Sequence, residues 1–212
     1  MRKSRGGLSV KEIIKNVSNF ITGTEKTLPS SFTKLFKKYP TQKITRIILG
    51  SNPINSAVQS VLNAATVGAV EKRLQELGAD KLRHLYFIVE LEGNKFISFE
   101  KNQTLKAMEG FLEPDRQMEV FLPPGFNRTF PEFMEVALRG VGPKRILVYT
   151  AHENNCQQFV LDVLKSNGLL FGAEGERIRT FVKQDVAKIF SPFLKNLGFS
   201  LPKLAHFFDL FT

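Results

Sequence analysis

Two hydrophobic periods alternate along the chain. Val10, Ile13, Ile14 and Val17 recur at helical spacing, with Ser9 placed to cap and Glu12 three residues on. A second short basic helix is predicted from Ser30 to Tyr39, with Phe32, Leu35 and Phe36 on one side and Pro40 as its stop. Ile54, Val58, Val61, Leu62 and Ala65 form an apolar stripe on a helix expected to open at Asn52-Pro53. Glu71 to Leu77 continues as helix or turn, and Gly78 fits its end.

The period then shortens to two. His84 to Leu91 is rich in aromatic and β-branched residues and predicts a strand, Glu92-Gly93-Asn94 a turn, and Lys95 to Glu100 a second strand. Gln117 to Leu122 is a candidate third strand, ended by Pro123-Pro124-Gly125. Helical spacing returns over Phe130 to Leu138, where Thr129 is the expected cap with Pro131 and Glu132 in the first turn. Lys144 to Tyr149 reads as a strand or a short approach segment. Asn154 or Asn155 caps a helix from Cys156 to Lys165, which Asn167-Gly168 ends. Glu176 to Phe190 carries Ile178, Phe181, Val182, Val186, Ile189 and Phe190 on one face. The expected fold class is α+β, with a small antiparallel sheet packed on helices and helical extensions at both ends.

The turn decides what the hairpin presents. A two-residue turn at Gly93-Asn94 pairs Phe87 with Glu100 and puts His84 and Glu100 on opposite faces. A three-residue turn pairs Tyr86 with Glu100 and puts them on one face. Asn94 tolerates the left-handed conformation that the longer turn needs, which favours it.

Composition narrows the chemistry. Of the 212 residues, 42% are hydrophobic and 24% charged, enough for an ordinary core. One cysteine excludes an internal disulfide and a multi-cysteine zinc site. Three scattered histidines, His84, His152 and His206, make a metal centre an unfavoured reading, and no cofactor is expected. The chain has neither a Gly-Lys-Ser/Thr phosphate loop nor a dinucleotide fingerprint, which argues against nucleotide hydrolysis and hydride transfer. No apolar signal region and no run of about 18 apolar residues is seen, so a non-secreted, cytoplasmic protein is expected.

The net charge of +10 is concentrated: residues 1–50 hold 11 Lys/Arg and 2 acids, and the remainder is nearly neutral. That stretch reads as a basic arm for an anionic partner, nucleic acid or a membrane surface. The Phe- and Leu-rich residues 193–212 read as a docking tail, for this domain, a protein partner or a lipid surface.

The most informative stretch is Asn155-Cys156-Gln157-Gln158-Phe159-Val160. It puts the lone cysteine at a helix start, where unpaired N–H groups and the helix dipole favour a thiolate and can later hold an oxyanion. Asn155 and Gln157 are the supporting groups there. His84, at the entry of the first strand, is the candidate base; His152, four residues before the cysteine, ranks below it. Ser98, Glu100 and Asn102 on the second strand are candidate orienting groups.

This Asn-Cys-x-x-Phe-Val stretch resembles the nucleophile helix of the permuted NlpC-type, papain-like thiol hydrolases, whose branches include lecithin:retinol acyltransferase. The order, His84 strand first and Cys156 helix later, is that of the permuted proteins. The strand, its hairpin and the Phe99-Glu100-Lys101-Asn102 ending look like versions encoded by large DNA viruses. The resemblance covers roughly residues 53–168. It implies a papain-like domain over 51–172, between the arm at 1–50 and a helical extension at 173–212. It also implies Cys156 as nucleophile, His84 as base, and Glu100 or Ser98 in the third position. The implied activity is thiol-dependent hydrolysis or transfer of a peptide, amide or ester acyl group, in a virion or host cytoplasm. The alternative is a catalytically silent papain-like fold, serving as a virion- or capsid-associated interaction protein. On that reading Cys156 is a small buried apolar residue.

Overall fold

The computed structural model describes residues 28–54, 68–76, 82–102, 104–148 and 154–183. The order of elements is α1 (Ser30–Lys38), β1 (Ile44–Pro53), α2 (Ala69–Glu76), β2 (Arg83–Leu91), β3 (Lys95–Lys101), β4 (Leu105–Glu109), β5 (Arg116–Val120), α3 (Phe130–Val141), α4 (Pro143–Leu147), α5 (Cys156–Ser166) and α6 (Gly172–Val182). The strands form one antiparallel sheet in the order β4-β3-β2-β1-β5. The fold class is therefore α+β, as expected.

Alternation along β2 and β3 separates two apolar layers. Leu85, Phe87, Val89, Ile97 and Phe99 face the helices. Tyr86 and Ile88 form a smaller cluster with Ile48 on the other face. The helix side is dominated by phenylalanines. Phe87 and Phe99 stack at 4.7 Å between ring centroids, Phe32 and Phe130 at 5.9 Å, and Phe159 meets Phe87 edge-on at 6.0 Å. Rings from α1, α3 and α5 thus lock onto the two strands that carry His84 and Glu100. Such pairs contribute about 0.5–1.5 kcal/mol each beyond their buried area.

The second face is partly roofed by the chain between β4 and β5. The Ser98 hydroxyl donates to the Gly110 carbonyl at 2.8 Å and accepts the Leu112 N–H at 3.0 Å. Tyr86 donates to the Glu113 carbonyl at 3.2 Å. Gly50 lets the Tyr86 ring lie flat on β1, since a Cβ there would stand 2.4 Å from the ring.

Both sheet edges are attended. Lys38 and Tyr39, at the end of α1, hold the Glu109 carboxylate on β4. On β5, Arg177 of α6 donates to the Glu119 carbonyl at 2.6 Å, and Glu174 accepts the Phe121 N–H at 3.0 Å. The two side chains also pair with each other at 2.8 Å.

Several expectations are corrected. Residues 30–50 were expected in the arm, but Phe32 and Phe36 are core residues and β1 lies between β2 and β5. Pro53 ends that strand instead of opening a helix. Proline fits there because it sits at a strand terminus, where a ladder donor is least needed. Most of the helix expected after it, residues 55–67, lies outside the described residues, as do the helix at 9–17, His152, His206 and the tail at 193–212. β4 was not expected. Residues 143–147 are a short helix, not a strand, with Pro143 at its first position. The helix expected from 176 begins at Gly172, and its Ile178 and Val182 join the main core, so 173–182 is part of the domain.

Candidate active site

The nucleophile candidate is set by a helix start that the local sequence specifies. Asn155 caps α5: its backbone is extended and its Oδ1 accepts the Gln158 N–H at 3.0 Å. The preceding residue is tied back as well, since the Asn154 side-chain amide donates to the Val148 carbonyl. Cys156 follows as the first helical residue. It faces inward with Phe159, Val160, Val163 and Leu164 and is 8% exposed.

The base candidate is set by the hairpin. Leu91 pairs with Lys95 across the three-residue turn, Asn94 has φ +56°, and Tyr86 pairs with Glu100. The longer turn is the one formed, so His84 and Glu100 share a face. Their side chains are 21% and 22% exposed. His84 Nε2 hydrogen-bonds Glu100 Oε2 at 3.0 Å. The Asn102 amide donates to Glu100 Oε1 at 3.1 Å. The carboxylate is therefore held from both sides while it holds the ring, and its engagement of Nε2 leaves Nδ1 for the thiol.

The thiol closes the chain of contacts. Cys156 hydrogen-bonds His84, and its sulfur also receives the backbone N–H groups of Leu85 and Gln157. Burial pushes the Cys156 pKa up, but the imidazolium contact and these two donors outweigh it, so the thiol sits below its ordinary value. Burial likewise opposes charge on His84. Hydrogen bonds to Cys156 and Glu100 overcome it and carry the imidazole up to about 10. Burial works against the Glu100 carboxylate too, and His84, Lys106 and Asn102 reverse the effect, so Glu100 stays ionised. The arrangement is a thiol, an imidazole and a carboxylate in series, and the shifts favour the thiolate and the imidazolium.

The remaining expected groups are placed as follows. Ser98 lies on the Glu100 face, but its hydroxyl holds the β4–β5 connection. Asn155 acts as the helix cap. Gln157 supplies its N–H to the sulfur, and its side chain lines a groove of about 300 Å³ with Gln158, Leu161, Arg179 and Lys183. A wider groove of about 590 Å³ runs over the Glu100 face, between Tyr86, Lys106, Met108 and Leu112. Among the described residues, no group of three or more His, Cys, Asp or Glu is placed to hold a metal ion. None of their helices is long and apolar enough to cross a membrane.

Sequence reading missed Lys101, which is fully buried on the helix side of β3. The signal was present: Ile97, Phe99 and Lys101 alternate, so a strand that buries the first two aims the third inward as well. Compared with family models, curated proteins and solved structures, the chain matches none.

Proposed function

We propose that the protein is a thiol hydrolase or acyltransferase. The observation that carries this reading is the imidazole of His84, held between the Cys156 thiol and the Glu100 carboxylate. A buried cysteine with only a packing role needs no imidazole partner, and a histidine with only a packing role needs no ionised carboxylate behind it.

The chemistry follows from the charges. The Cys156 thiolate attacks the acyl carbon, and the carbonyl π pair moves to oxygen. The backbone N–H of Cys156, at the start of α5, is suited to hold that oxyanion. Collapse breaks the bond to the leaving amine or alcohol, which takes its proton from the His84 imidazolium. The thioester is then opened by water or by an acceptor hydroxyl or amine. Neutral His84 removes that nucleophile's proton, and the thiolate is restored. Glu100 keeps the ring oriented and stabilises its charge through both steps. The same order of strand and helix supports the resemblance to permuted papain-like enzymes.

The test is the pH dependence of Cys156 alkylation by iodoacetamide in the wild type and in His84→Ala. The expected thiol titrates well below about 8.5 and returns toward that value without the histidine. An ordinary thiol indifferent to His84 would overturn the reading.

One observation favours a silent papain-like scaffold instead: Cys156 is buried, so an acyl carbon must reach a sulfur that is nearly covered. Alkylation distinguishes the two, because a scaffold thiol reacts slowly at every pH.

A further inference from the structure

The residues around the nucleophile lead into the groove between α5 and α6. It holds about 300 Å³, the low end for a small-molecule site. Asn155 and Gln157, on either side of Cys156 in sequence, line its start together with Gln158. Leu161 follows on the same helix, about 7.5 Å along the axis from Cys156. Arg179, Val182 and Lys183 supply the α6 side. Val182 belongs to the main core and Leu161 packs against it, so the apolar part of the lining is anchored.

The polar part carries one sign of charge. Its charged members are Arg179 and Lys183, its neutral ones are amides, and no carboxylate is among the described residues that line it. Arg177 and Arg179, both on α6, are employed differently. Arg177 is committed: it grips Glu174 at 2.8 Å and the Glu119 carbonyl at 2.6 Å. Arg179 meets Glu176 across 3.9 Å, and the two side chains are 48% and 78% exposed. Water screens so loose a pair, and it holds its partners weakly. The Arg179 guanidinium is thus able to turn to an incoming anion, and its planar fork matches a carboxylate. The groove also reaches the reacting atom: the Gln157 N–H contacts the Cys156 sulfur, and the Gln157 side chain lines the groove.

We propose that this groove receives a carboxylate on the acyl group of the substrate, with Arg179 and Lys183 as the residues that select it. The substrate class is then an acidic acyl donor, a chain that bears a carboxylate a few bonds from the carbonyl that Cys156 attacks. The inference rests on the reading of Cys156 as a nucleophile paired with His84.

The test uses two alkylating reagents of nearly one shape. Iodoacetate carries a carboxylate and iodoacetamide carries none. With each, the sulfur forms a bond to carbon and iodide leaves. Rates of Cys156 alkylation are measured at neutral pH in the wild type, Arg179→Gln, Lys183→Gln and the double variant. Both positions are exposed, so the variants keep the fold. Lys165→Gln, at the far end of α5, removes the same charge elsewhere. The ratio of the iodoacetate rate to the iodoacetamide rate is expected to fall about three- to tenfold in the double variant. It should stay near the wild-type value in Lys165→Gln. A ratio unmoved in the double variant would overturn the proposal, and would leave the two cations as partners of the α6 dipole alone. An equal fall in Lys165→Gln would overturn it as well, by reducing the effect to net charge. Slow alkylation by both reagents at every pH, indifferent to His84→Ala, would bring down the nucleophile reading and this inference with it. A reactive thiol with an unmoved ratio would remove this inference alone.

Discussion

Glu100 and Lys101 are consecutive residues on one strand, and they meet opposite environments. Glu100 is partly wet, shares its charge with His84 and Asn102, and stays ionised. Lys101 is dry, has one carbonyl and one ring as its near partners, and has its charge pushed toward release near neutral pH. The difference shows how a flat sheet serves a site at its end. One face orients the base, and the other reaches the helix that carries the nucleophile.

The strongest way to break that comparison is to remove the thiol that the wet side serves. Cys156→Ala is expected to lower turnover of any acyl substrate by about 10³-fold or more while leaving the fold intact, because alanine suits an inward position next to Phe159 and Val160. Activity that survives the change, measured on folded protein, would show that Glu100 does not support catalysis through this thiol.

Glu100→Gln tests the wet side. The imidazolium loses its carboxylate, so the His84 pKa is expected to fall and turnover to drop by about 10- to 100-fold. The pH–rate profile should narrow from its alkaline side. A uniform loss with an unchanged profile would mean that Glu100 matters for packing only.

The dry side has a signature in stability, and its sign can be worked out. The folded value of Lys101, about 7, lies below its unfolded value near 10.5, so the unfolded chain holds the extra proton between them. Stability is reduced in full below pH 7 and recovers as pH rises. His84 is raised, so its contribution is present below its unfolded value and is lost as pH climbs through about 10. Cys156 is lowered, so its contribution is lost as pH falls through the folded value. The His84 contribution falls and the Cys156 contribution grows as pH rises, so these two oppose each other. Lys101 adds a positive slope of its own. Above about pH 7 the slope of unfolding free energy against pH should be lower in Lys101→Met, by up to about 1.4 kcal/mol per pH unit. Denaturant titrations at several pH values would show this, and an equal slope in the variant would refute it.

The smallest effect expected is at an exposed lysine. Lys38→Ala removes a solvent-exposed ion pair with Glu109 and should leave stability nearly unchanged, because water screens such a pair. A much larger loss would mean that the docking of α1 on β4 depends on that charge rather than on Phe32 and Phe36.

The features legible in the sequence are those set by local rules. Asn94 foretold the three-residue turn, and with it the shared face of His84 and Glu100. Thr129 forms a full capping box with Glu132, and Asn155 caps α5. β1 was not legible because Gly50, Ser51, Asn52 and Pro53 read as punctuation. In the sheet, Gly50 makes room for Tyr86 and Asn52 hydrogen-bonds the segment at Glu113 and Asp115, which are tertiary reasons for turn-like residues. β4 escaped because Leu105 is its only buried residue, which leaves no alternation to detect. Lys101 escaped because charge at a strand end ordinarily means solvent, and that expectation hid the alternation that aims it inward with Ile97 and Phe99.

The Arg177–Glu174 pair of α6, set against the β5 edge, has one more consequence. An edge strand offers an unpaired carbonyl and N–H to any passing chain, and these are how sheets recruit one another into aggregates. Here a guanidinium fills the place of an incoming amide at Glu119, and a carboxylate fills the place of an incoming carbonyl at Phe121. Two helical side chains imitate the backbone of a neighbouring strand, and that part of the β5 edge is already occupied.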